Sequence, residues 1–166
     1  MTTPNQPILL APSTHPAVVP CPTNQQVGPR LDSLTIKALL GVPLTEVASE
    51  ATYRFCPAPD CPTVYYRGDG QQVFGEQDLR ERVYQKHAAD PTILICYCFG
   101  YRVADVLTEW EREGVTTVIE RIQAGIQAGQ CACDIRNPQG RCCLGNVREL
   151  VDRLAVSVPD KGTQNG

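Results

Sequence analysis

Apolar positions in the second half of the chain recur with helical spacing. Val103, Val106, Leu107 and Trp110 fall at i, i+3, i+4 and i+7, and Gly114 follows where a C-terminal stop belongs. A second stripe, Val118, Ile119, Ile122 and Ile126, is opened by Thr117 with Glu120 three residues on, the arrangement of a capping box, and closes near Gly129. Leu144, Val147, Leu150, Val151 and Leu154 form a third. These stripes predict three amphipathic helices with their apolar faces on a core. The first half is patterned differently. Between Cys21 and about Phe74, the short runs Thr35-Ile36-Lys37, Thr52-Tyr53-Arg54-Phe55 and Thr63-Val64-Tyr65-Tyr66 alternate or nearly so and are rich in β-branched and aromatic residues, which predicts strands. Gly68-Asp69-Gly70 predicts a turn into Gln72-Val73-Phe74, making a hairpin. Asp78 to His87 is charged and reads as a short helix or connector, punctuated by Asp90-Pro91. The expected fold class is α+β. A small β-rich half over residues 21–90 precedes a helical half over residues 91–158, with a Pro-rich disordered tail at 1–20 and a polar tail at 159–166.

Length and charge narrow the classes. A chain of 166 residues, 42% hydrophobic, buries one core or two small ones. Its net charge of −3 is spread without single-sign blocks, so it carries no footprint for nucleic acid. Apolar stretches such as Ile8 to Ala11 and Ile93 to Ile95 fall far short of the ~20 residues that cross a bilayer, and no membrane partner is expected. The N-terminus lacks the basic flank and apolar core of a secretory signal, which places the chain in the cytoplasm as an expectation. That compartment changes the reading of the nine cysteines. Disulfides rarely persist there, and an odd count argues against a purely disulfide framework, so metal binding or thiol chemistry is expected, with one or two thiols serving only as small buried hydrophobes. No Gly-rich phosphate loop, nucleophile elbow or HExxH occurs, and the two histidines lie far apart; no enzyme active site is expected.

The cysteines cluster. Cys96-Tyr97-Cys98 precedes the first predicted helix, Cys131-Ala132-Cys133 follows the second, and Cys142-Cys143 begins the third. Helix ends that lie close together can gather such groups around one ion or cluster. Helix N-termini offer unpaired N–H groups and positive dipole ends, which suits an anionic iron–sulfur centre. Cys-x-Cys is shorter than the usual zinc spacing and leans towards a cluster, although spacing alone leaves zinc and unrelated thiols open. In the first half, Cys56-Pro-Ala-Pro-Asp-Cys61 and the distant Cys21 fit three corners of tetrahedral zinc.

Cys96-Tyr97-Cys98 together with Cys133-Asp134-Ile135-Arg136-Asn137-Pro138-Gln139-Gly140-Arg141-Cys142-Cys143 resembles the N-terminal domain of CopZ-type copper chaperones, itself similar to bacterioferritin-associated ferredoxin. The resemblance spans roughly residues 21 to 156. It implies a [2Fe-2S] cluster on Cys96, Cys98, Cys133 and Cys143, with Cys131 and Cys142 as spare thiols, and an electron-transfer role. In that family the matching start of the first half looks like Cys-Pro-x-Cys, followed later by Cys-x4-Cys. Here Asn24 stands at the fourth zinc position, a poor substitute for thiolate, so His15, His87 or water is needed to complete the set. The copper-carrying Met-x-Cys-x-x-Cys motif of that family does not occur in these residues, where Met1 is the one methionine. The resemblance therefore implies a redox protein accessory to metal handling, with a redox partner and a separate copper carrier. The alternatives are a zinc-stabilised interaction module and an electron donor for iron release from storage. Arg102, Arg136 and Arg141 flank the expected ligands, where they offset cluster charge or meet an acidic partner, or are simply solvated.

Overall fold

The computed structural model describes residues 18–157. The expected tails fall largely outside that range, as does His15. The first half is a four-stranded antiparallel sheet in sequential order: β1 (Arg30–Leu31), β2 (Tyr53–Phe55), β3 (Thr63–Arg67) and β4 (Val73–Gly75). Phe55 pairs with Tyr65 and Tyr53 with Arg67, and the turn predicted at Gly68-Asp69-Gly70 joins β3 to β4, with Gly70 at φ 75°. Val64, Tyr65 and Tyr66 of β3 are fully buried, because both faces of this central strand are covered. Val64 and Tyr65 join Leu31, Ile36, Leu40 and Phe55 in one core, whereas Tyr66 turns towards Cys21, Cys56 and Cys61.

Thr35-Ile36-Lys37, expected as a strand, is helical instead, within α1 (Ser33–Leu39). Asp32 caps it, its Oδ1 accepting from the Leu34 N–H at 2.8 Å, and Ile36, Leu39 and Leu40 then face the sheet. Three alternating residues cannot distinguish a strand from one turn of helix; the cap decides. The stretch 78–87 contains no α-helix, only 3₁₀ turns at Glu76–Asp78 and Tyr84–Lys86.

In the second half, β5 (Leu94–Cys96) and β6 (Tyr101–Arg102) form a hairpin leading into α2 (Val103–Glu113) and α3 (Val118–Gln127). A single turn, α4 (Cys133–Arg136), absent from the periodicity, precedes α5 (Leu144–Ser157). Gly114 and Gly129 stop α2 and α3 with φ 71° and 70°. The expected capping box at Thr117 does not form: its N–H and hydroxyl both bond Glu109 Oε2, at 2.7 and 3.2 Å, because α2 returns alongside. Val103, Val106, Val118, Ile122, Val147 and Leu150 make the second core, as their stripes predict, together with Ile95 of β5. No helix among the described residues is long and apolar enough to cross a membrane.

The halves are locked together. Helix α1 packs on α4, and the buried Tyr65 hydroxyl donates to the Pro138 carbonyl at 2.6 Å. Gly140, at φ 64°, lies against Leu31 and Thr35, where a Cβ would stand 3.0 Å from each side chain. Tyr65→Phe leaves the Pro138 carbonyl buried without that donor, so thermal unfolding should show a loss of about 1–3 kcal/mol. An unchanged melting temperature would mean the bridge contributes nothing to holding the halves.

Candidate metal centres

The sheet builds the first centre. Cys56 follows β2 directly, and its N–H bonds the Val64 carbonyl at 2.8 Å; Cys61 precedes β3 by one residue. Cys21 opens a tight knuckle in which its carbonyl accepts from Gln25 at 2.8 Å and its N–H bonds Gln26 at 2.9 Å. The three sulfurs lie within 4.8 Å of one another, all buried, with Cys21 and Cys61 at 3.9 Å. Burial pushes the Cys56 thiol up to about 11. Burial also acts against ionisation at Cys21, but the N–H groups of Asn24 and Thr23 and the neighbouring thiols more than offset it and hold that thiol below its ordinary value. Soft sulfur donors in this number fit zinc at three corners, and binding it must expel the protons that burial retains.

No fourth thiolate stands at the remaining corner among the described residues. Asn24 does reach the group, but its Nδ2 donates to Cys56 Sγ at 3.3 Å while its Oδ1 accepts from the Gln26 N–H at 3.0 Å. The amide oxygen, the atom able to ligate, is turned away by the knuckle. His87 is not brought to the sulfurs: its Nε2 lies 2.6 Å from Glu76 Oε2, held there by the 3₁₀ turn that ends beside it. Its neighbour Lys86 is the residue that approaches, with Nζ bonding the Ala58 carbonyl at 2.5 Å and its charge partly opposing the rise of the Cys56 pKa. Sequence pattern gave no signal for that lysine, which arrives through the chain between the two halves.

The second centre gathers all three C-terminal cysteine groups. Cys96 ends β5, Cys98 sits in the hairpin turn, Cys133 begins α4, and Cys143 immediately precedes α5, its carbonyl accepting from Val147. The sulfurs of Cys96 and Cys143 are 2.8 Å apart, and those of Cys98 and Cys133 are 3.5 Å apart. Cys133 and Cys143 also lie within 4.8 Å of each other, which joins the two pairs. Cys131 belongs to the group as well, 3.3 Å from Cys133 and 4.0 Å from Cys98. Cys142 reaches Cys133 and Cys143 but is exposed.

Two local devices create this convergence. Asn137-Pro138-Gln139-Gly140 is a β-turn closed by Gly140 N–H on the Asn137 carbonyl at 2.7 Å, and buried Asn137 donates to the Arg141 carbonyl at 2.7 Å. The turn folds Cys143 back towards Cys133 across the intervening residues. Phe99 of the hairpin turn packs against α3, where any side chain at Gly125 would collide with its ring. Neither role follows from spacing alone.

The charge pattern suits a bound cation or cluster. Hydrogen bonding from Cys143, against the opposing effect of burial, pulls the Cys133 thiol down to about 5, with Cys131 and Cys98 assisting. Cys98 is pushed up to about 12 by burial, and Cys143 is raised by its hydrogen bonds to Cys133 and Cys96. Cys96 is likewise lowered, chiefly by its hydrogen bond with Cys143, while Cys98, Cys131 and Cys143 resist ionisation, so full ionisation needs positive charge among the sulfurs. Backbone N–H groups already aim at them: Ala132 at Cys98 Sγ, 3.3 Å away, Phe99 and Cys98 at Cys96, and Cys143 at Cys133.

Residues 19–80 match the CopZ-type zinc binding domain family, a stretch that contains all three cysteines of the first centre. Among solved structures, the chain is similar to the X-ray structure of the Archaeoglobus fulgidus CopZ N-terminal domain. The TM-score is 0.63 and the identity 26%, covering 80% of this chain and 97% of that one. A search of the curated proteins found no match.

Proposed function

From a chain of the CopZ N-terminal type, with a zinc-binding-domain region and a second sulfur group beside it, we propose a [2Fe-2S] electron-transfer protein of metal handling. The observation that carries this reading is the division of four sulfurs into two joined pairs, Cys96 with Cys143 and Cys98 with Cys133, as two irons with two thiolates each require. When bound, such a cluster supplies a reversible one-electron couple. Cys96 and Cys143, each no more than 1% exposed, exclude water from one side of the centre. The N–H groups of Phe99, Ala132 and Cys143 stabilise negative charge on the sulfurs and so set the potential.

Cys21, Cys56 and Cys61 hold zinc as a structural ion, stapling the knuckle to the sheet. The protein acts as a carrier and not as an enzyme, in the cytoplasm, where thiols stay reduced. Its partners are a redox protein and, following the sequence resemblance, a separate copper carrier. The test is anaerobic purification of the full chain with iron, acid-labile sulfide and zinc analysis, and EPR after reduction. Two irons and two sulfides per chain with a reduced-state signal are expected. A colourless protein holding zinc at both centres would overturn the reading and leave a zinc-stabilised interaction module.

A further inference from the structure

A groove of about 530 Å³ runs between the two halves, beside the second centre. Arg80 lines it from the first half; Tyr97 and Arg102 of the hairpin, with Ile135 and Arg136 of α4, line it from the second. Two of the three ligand-bearing stretches therefore rim it, since Tyr97 lies between Cys96 and Cys98 and Ile135-Arg136 complete the helical turn begun by Cys133. Glu81 is the one carboxylate in the lining. Arg67, Arg82, Arg112 and Arg121 each pair with a carboxylate, but among the described residues no ion pair engages Arg80, Arg102 or Arg136. Arg80 is steadied by donation to the Leu40 carbonyl at 2.9 Å, and Arg102 by donation to the Thr92 carbonyl, so both stay in place with their charge unneutralised. Ile135 adds an apolar spot, 42% exposed.

In a chain of net charge −3, three unpaired guanidinium groups around one groove make a local positive field that steers negatively charged molecules. Residues 1–17 contain no Asp or Glu, and residues 158–166 contain one Asp and one Lys, so neither stretch carries a net negative side-chain charge to meet the groove. We infer that this groove is the docking surface for an acidic redox-partner protein, whose carboxylates meet Arg80, Arg102 and Arg136 and whose apolar contact covers Ile135. The inference rests on the electron-carrier reading above. The step it would serve moves one electron and neither a proton nor a covalent bond: Cys96, Cys98, Cys133 and Cys143 would hold the cluster, which would supply a one-electron acceptor for an electron lost by the reduced partner.

Two measurements on the metal-replete full chain test it separately from that reading. Fluorescence anisotropy with labelled decaglutamate at low salt should show binding that weakens about tenfold in Arg80→Gln/Arg136→Gln and is unchanged in Arg148→Gln, on the exposed face of α5. Arg136→Gln, whose side chain makes no hydrogen bond among the described residues, serves alone if the pair fails to fold. In stopped flow, oxidation of the reduced protein by ferricyanide should slow about tenfold in the same variant, while oxidation by hexaamminecobalt(III) should not slow. Equal peptide binding by all variants would overturn the docking surface. So would equal slowing by both oxidants, or a wild-type self-association that the variant abolishes. A protein without visible colour overturns the electron-carrier reading instead, with the peptide measurement still deciding the surface.

Discussion

Cys133→Ser and Cys98→Ser proteins should purify with their iron and sulfide reduced to background, whereas Cys131→Ser and Cys142→Ser proteins should keep both. Each of the first pair removes one thiolate from a four-ligand shell, and a serine hydroxyl is too weakly acidic and too hard a donor to replace it on iron. The structure makes Cys133 the more severe loss. Its sulfur is 3.5 Å from Cys98 and within 4.8 Å of Cys143, so it joins the two pairs, and its thiol is the one pulled down to about 5. Cys142 is exposed and Cys131 half-buried, at the rim of the group. Cys131 is nevertheless 3.3 Å from Cys133, near enough to be its rival. Visible absorption with iron and sulfide analysis of the four variants decides between them. If Cys131→Ser bleaches while Cys133→Ser keeps its colour, Cys131 is the ligand and the assignment is reversed.

Asn24→Cys should tighten zinc at the first centre on the order of 100-fold and stabilise the fold. Position 24 already projects into the group, because the Asn24 amide nitrogen stands 3.3 Å from Cys56 Sγ. A thiol there supplies the missing fourth corner with little rearrangement of the knuckle, whereas the amide offers the metal an N–H that cannot ligate. Zinc bound to the folded chain alone is linked to folding, so a 100-fold gain at saturation corresponds to about 2.7 kcal/mol. For a domain of this size that is a rise of roughly 5–10 °C in Tm. Competition with a chelator and thermal unfolding, each with and without zinc, measure the two effects. Equal affinity in wild type and variant would mean that another group already completes the site. No zinc in either would reduce Cys21, Cys56 and Cys61 to buried thiols.

Much of this molecule is dictated locally. The stripes of α2, α3 and α5 are legible because a helix repeats every 3.6 residues, and ten or more residues let that period stand out. The hairpin at Gly68-Asp69-Gly70 and the stops at Gly114 and Gly129 are equally local, since only a few residues tolerate positive φ. Cysteine content and spacing announced metal chemistry for the same reason: few other side chains supply soft sulfur donors in such numbers. What tertiary structure decided is of another kind. Thr35-Ile36-Lys37 became helix through the Asp32 cap and the sheet beneath it, and Thr117 lost its capping role to Glu109 of the neighbouring helix. Asn24 faces the zinc group with its nitrogen, and His87 is turned to Glu76, because those orientations depend on hydrogen-bond partners brought in from other segments. The convergence of Cys96 with Cys143, and of Cys131 with Cys98 and Cys133, depends on the Asn137–Gly140 turn and on Phe99 packing against α3. Spacing along a chain states which donors are present, but distances between donors far apart in sequence are set only when the cores between them close.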